Sequence, residues 1–127
     1  MQVYCTICCK KKRPIEKPIQ AIERYLSNRI KTVYEKSRKD GVEFRILSGK
    51  YGLLKPNDKI PYYDKKLEFK HVVYLSEIVK KQLEKQKISQ ITFYKKDKTK
   101  HPEWEPYNQL VKQVCDELNI DLNLEII

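Results

Sequence analysis

The sequence lacks any apolar run close to the ~18 residues that a membrane-spanning helix needs. Its N-terminal region also has the wrong order for a signal peptide, because the basic residues 10–13 follow the apolar residues 3–9 instead of preceding them. With three Gly and six Pro in 127 residues, the chain is neither collagen-like nor low in complexity. We therefore expect residues 1–127 to form a single soluble, cytoplasmic domain.

Several nucleotide-binding and hydrolase motifs are also missing. Gly49-Lys50 does not belong to the G-x4-G-K-[ST] pattern of a P-loop, and no G-x-G-x-x-G follows the first apolar segment. Ser48 is preceded by Leu47 and followed directly by glycine, so it does not lie in a G-x-S-x-G nucleophile elbow. These absences argue against a P-loop NTPase, a Rossmann dehydrogenase and an α/β-hydrolase.

Cysteine usage indicates neither a metal site nor a disulfide scaffold. Cys5 and Cys8 have the spacing of half a zinc site, but no second pair of ligands follows at a suitable distance. If residues 2–8 form a strand, these two side chains point to opposite faces. We expect no metal and no cofactor, and most of the cysteines to be small buried residues. Cys9 is the exception, because it follows the predicted strand.

Charge is the first positive signal of function. The chain has 27 Lys and Arg against 17 Asp and Glu, a net charge of +10. The excess is uneven, since residues 1–100 hold 26 basic and 11 acidic side chains, whereas residues 101–127 hold one and six. A basic field of this size favours polyanions such as nucleic acid, nucleotides or anionic lipid. The alternative is that the lysines only solvate the surface.

Strand and helix patterns alternate along the chain. Ser27 or Asn28 can cap a restart within the first helical segment, and Asp40-Gly41 is a stop signal. Residues 49–70 predict a long irregular loop, which in a small domain is usually functional. This order predicts an α/β fold, a three-layer α/β/α sandwich with a mostly parallel, about four-stranded central sheet. The predicted strands are 2–8, 42–48, 88–94 and 121–127, and the predicted helices are 19–39, 72–87 and 102–118.

The basic residues are concentrated at one edge of the predicted sheet. The segments that follow the first three strands begin at Cys9, Ser48 and Lys95, and they are strongly basic or contain glycine. The opposite loops are mixed or acidic. Because ligands of open parallel sheets bind beyond the carboxyl ends of the strands, this distribution favours an anion site there.

Aromatic side chains lie in or beside the same loops: Tyr51, Tyr62, Tyr63, Trp104 and Tyr107. Aromatic faces mixed with lysine suit nucleobases and phosphates. For Trp104 and Tyr107 the alternative is core packing, because both fall on the apolar face of a predicted helix.

Residues 46–67, ILSGKYGLLKPNDKIPYYDKKL, resemble the LSAKYGLL…PYD signature of the DUF6884 group of small proteins. They are similar, more distantly, to a segment of the peroxide-stress YaaA proteins. Cys8 to Lys12 is similar to the group's C-S-K-x-K motif, with Cys9 in the place of Ser. Gly49 replaces the usual Ala, and Pro61 lies one position early. The matching positions are Leu47, Ser48, Lys50, Tyr51, Gly52, Leu53, Leu54, Pro56, Asp58, Ile60, Tyr63 and Asp64.

The resemblance implies a uracil-DNA-glycosylase-type three-layer fold and a link to nucleic acid, since the YaaA relatives are described as DNA-binding. A glycosylase of that type needs a water-activating Asp or Asn after its first strand, where this chain has Cys-Cys-Lys. This departure argues against base excision.

The predicted function is binding of DNA, RNA or a nucleotide in a basic, tyrosine-containing cleft. Lys10, Lys12 and Lys50 would neutralise phosphate, and Tyr51 and Tyr63 would bracket a base or sugar. Cys9, Ser48 and Gly52 complete the predicted binding residues. One alternative is an enzyme acting on a nucleoside, a nucleotide or a nucleic-acid base, with Asp58 or Asp64 as general base. Another treats 46–67 as a loop that binds an acidic tail of a second protein.

Overall fold

The computed structural model describes residues 1–97 and 99–127 and has the predicted α/β architecture. A five-stranded sheet of order β4-β3-β1-β6-β7 lies between two layers of helices. The strands are β1 (Gln2–Ile7), β2 (Ile19–Gln20), β3 (Glu43–Ser48), β4 (Gly52–Leu54), β5 (Lys59–Ile60), β6 (Gln90–Lys95) and β7 (Asp121–Ile126). The helices are α1 (Ala21–Arg24), α2 (Asn28–Asp40), α3 (Val72–Lys85) and α4 (Glu105–Glu117), with 3-10 turns at Phe69–His71 and Pro102–Trp104.

The middle of the sheet is parallel and buried on both faces. β1 pairs in parallel with β3 on one side and with β6 on the other, and β6 pairs in parallel with β7. Val3, Cys5, Thr6 and Ile7 are all buried, which explains why β1 has a continuous apolar sequence with little alternation. Helix α2 packs on β1 and β3, whereas α3 packs against α4 and β4.

Local sequence signals mark the start and the end of α2 and the buried face of α3. The Ser27 hydroxyl accepts a hydrogen bond from the Ile30 amide at 3.2 Å and begins α2. Gly41 ends that helix in the left-handed conformation, with φ of 68°. In α3 the predicted apolar face is buried, and its residues are Val72, Leu75, Val79 and Leu83.

The predicted loop 49–70 contains more structure than the sequence indicates. Residues Gly52–Leu54 turn back on β3 and add an antiparallel fifth strand to the edge of the sheet. Residues Lys59–Ile60 pair with Ile19–Gln20 in a separate two-stranded sheet. Both segments are too short to produce a recognisable strand pattern, which is why only the four longer strands of the main sheet are predicted.

The connections leave β1 and β6 in opposite directions. The chain after β1 passes through α1 and α2 to β3 on one side, and the chain after β6 passes through α4 to β7 on the other side. Since β1 and β6 are neighbours, a crevice opens between their carboxyl ends. Such a topological switch point is where open α/β sheets bind ligands.

In the part of the chain that the structure describes, no helix combines the length and the apolar character needed to cross a bilayer.

Candidate functional site

A cavity of about 590 Å³ lies at the switch point between β1 and β6. The exit of β1 forms one side, and the turn and helix after β6 form another. The cavity carries five basic and two acidic side chains together with an aromatic wall. Its lining residues are Ile7, Cys8, Cys9, Lys10, Lys12, Arg29, Asp64, Lys65, Lys66, Glu103, Trp104 and Tyr107.

Arg29, in the first turn of α2, is hydrogen-bonded to the end of β1. Its guanidinium donates hydrogen bonds to the Thr6 hydroxyl at 2.6 Å, to the Ile7 carbonyl at 2.9 Å and to the Cys8 carbonyl at 3.4 Å. The same group lies 4.8 Å from the centroid of the Trp104 ring, a cation–π contact. Burial lowers the pKa of Arg29, although it stays a cation at neutral pH.

Lys12 is a second basic residue of the cavity that is largely buried, and only 8% of its surface is exposed. Its ammonium donates to the Lys10 carbonyl at 3.3 Å. It lies 4.6 Å from the ring centroid of Tyr63 and 5.9 Å from that of Tyr25. Two aromatic faces therefore hold the charge beside the cavity.

A chain of hydroxyl groups lies behind Lys12. The Ser48 hydroxyl accepts hydrogen bonds from the Lys50 and Tyr51 amides, both at 3.1 Å, and lies 2.9 Å from the Tyr63 hydroxyl. The Tyr63 hydroxyl is hydrogen-bonded in turn to that of Tyr25. Burial raises the pKa values of both tyrosines, so that they stay neutral across the physiological pH range. The chain of hydroxyls thus positions Tyr63, which holds Lys12.

Tyr107 joins the cavity wall to the loop after β5. Its hydroxyl accepts a hydrogen bond from the Leu67 amide at 3.2 Å and lies 3.7 Å from the Cys8 sulfur. A Cβ added at Gly49 would meet both that hydroxyl and the Leu67 nitrogen at 3.0 Å. Gly49 is therefore required by close packing, whereas its neighbour Gly52 is required by its positive φ of 74°.

The structure brings only part of the predicted site to the cavity. Cys9, Lys10, Lys12 and Asp64 line it. Six other predicted residues do not line it, and of these Tyr63 contacts a residue that does, Lys12. The six are Ser48, Lys50, Tyr51, Gly52, Asp58 and Tyr63.

Tyr51 and Tyr63 do not form a slot for a base. Their rings pack edge to face, with centroids 5.3 Å apart and an interplanar angle of 81°. This separation leaves no room for a third ring between them. Lys50 is exposed and lies 5.4 Å from the Tyr51 centroid, outside the cavity lining. The geometry therefore moves the candidate site from these tyrosines to the neighbouring cavity.

Asp58 is likewise not at the cavity. Its carboxylate accepts a hydrogen bond from the Lys55 amide at 2.8 Å, and its carbonyl accepts one from the Ala21 amide at 2.7 Å. It closes a turn and joins that turn to α1. Of the two predicted acids, only Asp64 lines the cavity.

Several cavity residues are not among those predicted from the sequence. Arg29 carries a signal in hindsight, because it follows the cap of a helix that starts at the carboxyl edge of the sheet. Lys65 and Lys66 follow Asp64 directly in the predicted functional loop. Trp104 and Tyr107 fit both the core-packing and the ligand-contact interpretation. They are only 5% and 4% exposed, and they still line the cavity.

Cys8 and Cys9 both line the cavity, and Cys9 is the more exposed of the two. It is half-buried, and its sulfur donates to the Lys11 carbonyl at 3.1 Å. Burial raises the pKa of Cys9 and outweighs the nearby cations Arg29 and Lys12, which lower it. The other three cysteines are buried, and burial raises the pKa of Cys5 to about 12 and that of Cys115 to about 11.

We expect iodoacetamide to alkylate Cys9 before the other cysteines, and slowly at pH 7. The rate should keep rising above pH 9, because the raised pKa leaves little thiolate at lower pH. Peptide mass spectrometry after timed labelling measures this, with Cys9→Ser as control. A rate that levels off below pH 8 would contradict the expectation.

Metal ligands are not clustered in the described residues. Across 1–97 and 99–127, no group of three or more His, Cys, Asp or Glu side chains could hold a metal ion.

The sequence was compared with models of known protein families. The model of a family of unknown function, DUF6884, matches residues 3–99. The chain belongs to this family. Its matched range runs from β1 through β6 and includes every cavity residue except Glu103, Trp104 and Tyr107. No curated protein and no solved structure matches the chain, so the distant likeness to YaaA proteins and to glycosylase folds stays a prediction.

Proposed function

We propose that this DUF6884 protein binds nucleotides, either free or as part of a nucleic acid, in the cavity between β1 and β6. The carrying observation is that five basic side chains and two aromatic ones converge on one cavity at the switch point of a parallel sheet. Neither charge nor position alone would support the proposal. Together they match the chemistry of a phosphate attached to a flat, apolar base.

The size and lining of the cavity support this assignment. A volume of about 590 Å³ falls within the ~300–1,000 Å³ of small-molecule sites. The lysines Lys10, Lys65 and Lys66 are exposed at its rim, where they can contact a backbone that extends beyond the cavity. Trp104 and Tyr107 supply the apolar wall.

A second candidate function is catalysis on a nucleoside, a nucleotide or a nucleic-acid base. The observation that favours it is the exposed Asp64 carboxylate at the cavity, where it could act as a general base. Incubating the protein with nucleosides, nucleotides and short DNA tests this by chromatography of the products. Turnover that Asp64→Asn abolishes without weakening binding would support the enzyme over the simple binder.

The binding proposal predicts a salt-dependent affinity for a labelled single-stranded oligonucleotide. Lys65→Ala/Lys66→Ala should weaken binding, and it should reduce the slope of log K against log salt by about one for each lysine that contacts a phosphate. Fluorescence anisotropy across salt concentrations measures both effects.

The matched control is Lys81→Ala/Lys85→Ala, which makes the same change in charge on exposed residues of α3 that do not line the cavity. Equal losses in the two double variants would mean that binding follows net charge alone. No binding of any oligonucleotide or nucleotide at low salt would refute the proposed function.

A further inference from the structure

We propose that the cavity recognises a phosphate monoester, held between Lys12 and Arg29, in preference to a phosphodiester. The inference rests on the proposed function and narrows its ligand to a nucleotide with a terminal phosphate. A free nucleoside monophosphate and the phosphorylated end of a strand share this chemistry.

The first observation is the burial of the Lys12 charge. Its ammonium has three donors, and the structure gives it one hydrogen bond, to the Lys10 carbonyl. A charge that is 8% exposed needs compensation, and the faces of Tyr63 and Tyr25 supply only part of it. The ammonium therefore keeps unused donors at the wall of the cavity.

The second observation is the guanidinium of Arg29. It has five N–H donors, and three hydrogen bonds to the end of β1 fix its orientation. These bonds hold the group rigid at the cavity wall without neutralising it, because their acceptors are two carbonyls and a hydroxyl. A fixed guanidinium with donors to spare is suited to a phosphate oxygen.

The third observation concerns the acids. Within 1–97 and 99–127, no carboxylate lies within salt-bridge distance of Lys12 or Arg29. Of the two acids that line the cavity, Glu103 contacts His101 at 3.4 Å and Asp64 is exposed. The two inward cations thus lack an internal counter-ion, which a bound anion would provide.

The charge count favours a monoester. Lys12 and Arg29 both line this cavity, so the two cations can act on the same bound group. A phosphate monoester carries nearly two negative charges at neutral pH, because its second pKa is about 6, whereas a diester carries one. Two partly desolvated cations match the dianion. The exposed lysines at the rim, which water screens, discriminate less between the two forms.

The test compares ligands that differ only at the phosphate. Adenosine, its 5′- and 3′-monophosphates and the methyl diester of each are titrated by calorimetry, together with inorganic phosphate. We expect one monophosphate to bind about tenfold or more tightly than its diester and than adenosine, because charge-assisted bonds to the dianion are the stronger ones. Its advantage should shrink below pH 6, where the dianion gains a proton.

A six-nucleotide single strand, with and without the corresponding terminal phosphate, separates the two sources. Tighter binding of the phosphorylated strand than of the mononucleotide would assign a nucleic-acid end. The reverse order would assign a free nucleotide. Either result supports the monoester site, provided that the unphosphorylated strand binds more weakly.

The variants locate the site. Lys12→Met should remove the preference for the monoester, and Lys12→Arg should retain most of it. Lys11→Met is the matched control, because Lys11 is the exposed neighbour and does not line the cavity. If Lys12→Met does not fold, the comparison of monoester with diester on the unmodified protein still tests the preference for a monoester.

Equal affinities for the monoester and diester would overturn this inference and leave the proposed function standing. Loss of preference in Lys11→Met equal to that in Lys12→Met would also overturn it. If inorganic phosphate binds as tightly as the nucleoside monophosphates, the base contributes nothing and the nucleotide assignment is refuted. If none of these ligands binds, both proposals are refuted.

Discussion

Arg24→Met is expected to lower the free energy of unfolding by about 3–5 kcal/mol, since it leaves four backbone carbonyls without their donor. Arg24 has no exposed surface. Its guanidinium donates to the carbonyls of Arg13 at 2.7 Å, Ile15 and Lys17 at 2.8 Å, and Ile60 at 3.1 Å. Chemical denaturation measures the loss.

The matched control is Arg13→Met. The Arg13 side chain is half-buried and makes one hydrogen bond, to the Glu23 carbonyl at 3.3 Å. We expect this change to cost about 1 kcal/mol or less. Equal losses in the two variants would show that the four hydrogen bonds of Arg24 are not what stabilises this region. Because Arg24 holds the segment just after Lys12, its replacement should also weaken ligand binding in any protein that still folds.

Gly52→Ala is expected to cost about 2–4 kcal/mol, again measured by chemical denaturation. An alanine at φ of 74° is strained by roughly 1–2 kcal/mol. Its Cβ would also lie 2.5 Å from the Gln82 side-chain oxygen. That amide accepts from the Leu53 amide at 2.7 Å and donates to the Tyr51 carbonyl at 3.2 Å, so moving it breaks the tie between α3 and β4.

Gly41→Ala is the control that separates the backbone strain of a positive φ from the steric clash with Gln82. Gly41 has nearly the same φ, 68°, but a Cβ there would meet nothing within 4 Å. We expect its loss to be about 1–2 kcal/mol, the strain alone. A Gly52→Ala loss no larger than that of Gly41→Ala would mean that Gln82 moves aside without cost.

The elements that the sequence predicts correctly are those with local signals. The continuous apolar run of β1, the helical spacing of Val72 and Val79 in α3, and the stop at Gly41 each depend on a few neighbouring residues. The edge of the sheet that carries the cavity is predictable for the same reason. Strand direction follows from the alternation of elements, and the basic segment after β1 is read directly from the chain.

The residues that line the cavity are predicted less well from the sequence. Lys10 and Lys12 follow β1 within a few residues, and both line the cavity. Lys50 follows β3 in the same way, yet it lies outside the cavity lining. The difference comes from the strand order, because β6 rather than β3 forms the switch point with β1. No pattern in the sequence states which strand lies on which side.

By itself, the sequence determined the α/β class, the four longer strands of the main sheet and the family, because each depends on residues close together in the chain. Only the tertiary structure decided the position of the switch point, the antiparallel strand Gly52–Leu54 and the meeting of Arg29 with Trp104. These features join segments far apart in sequence. Their geometry is set by packing among several elements at once, which no local pattern encodes.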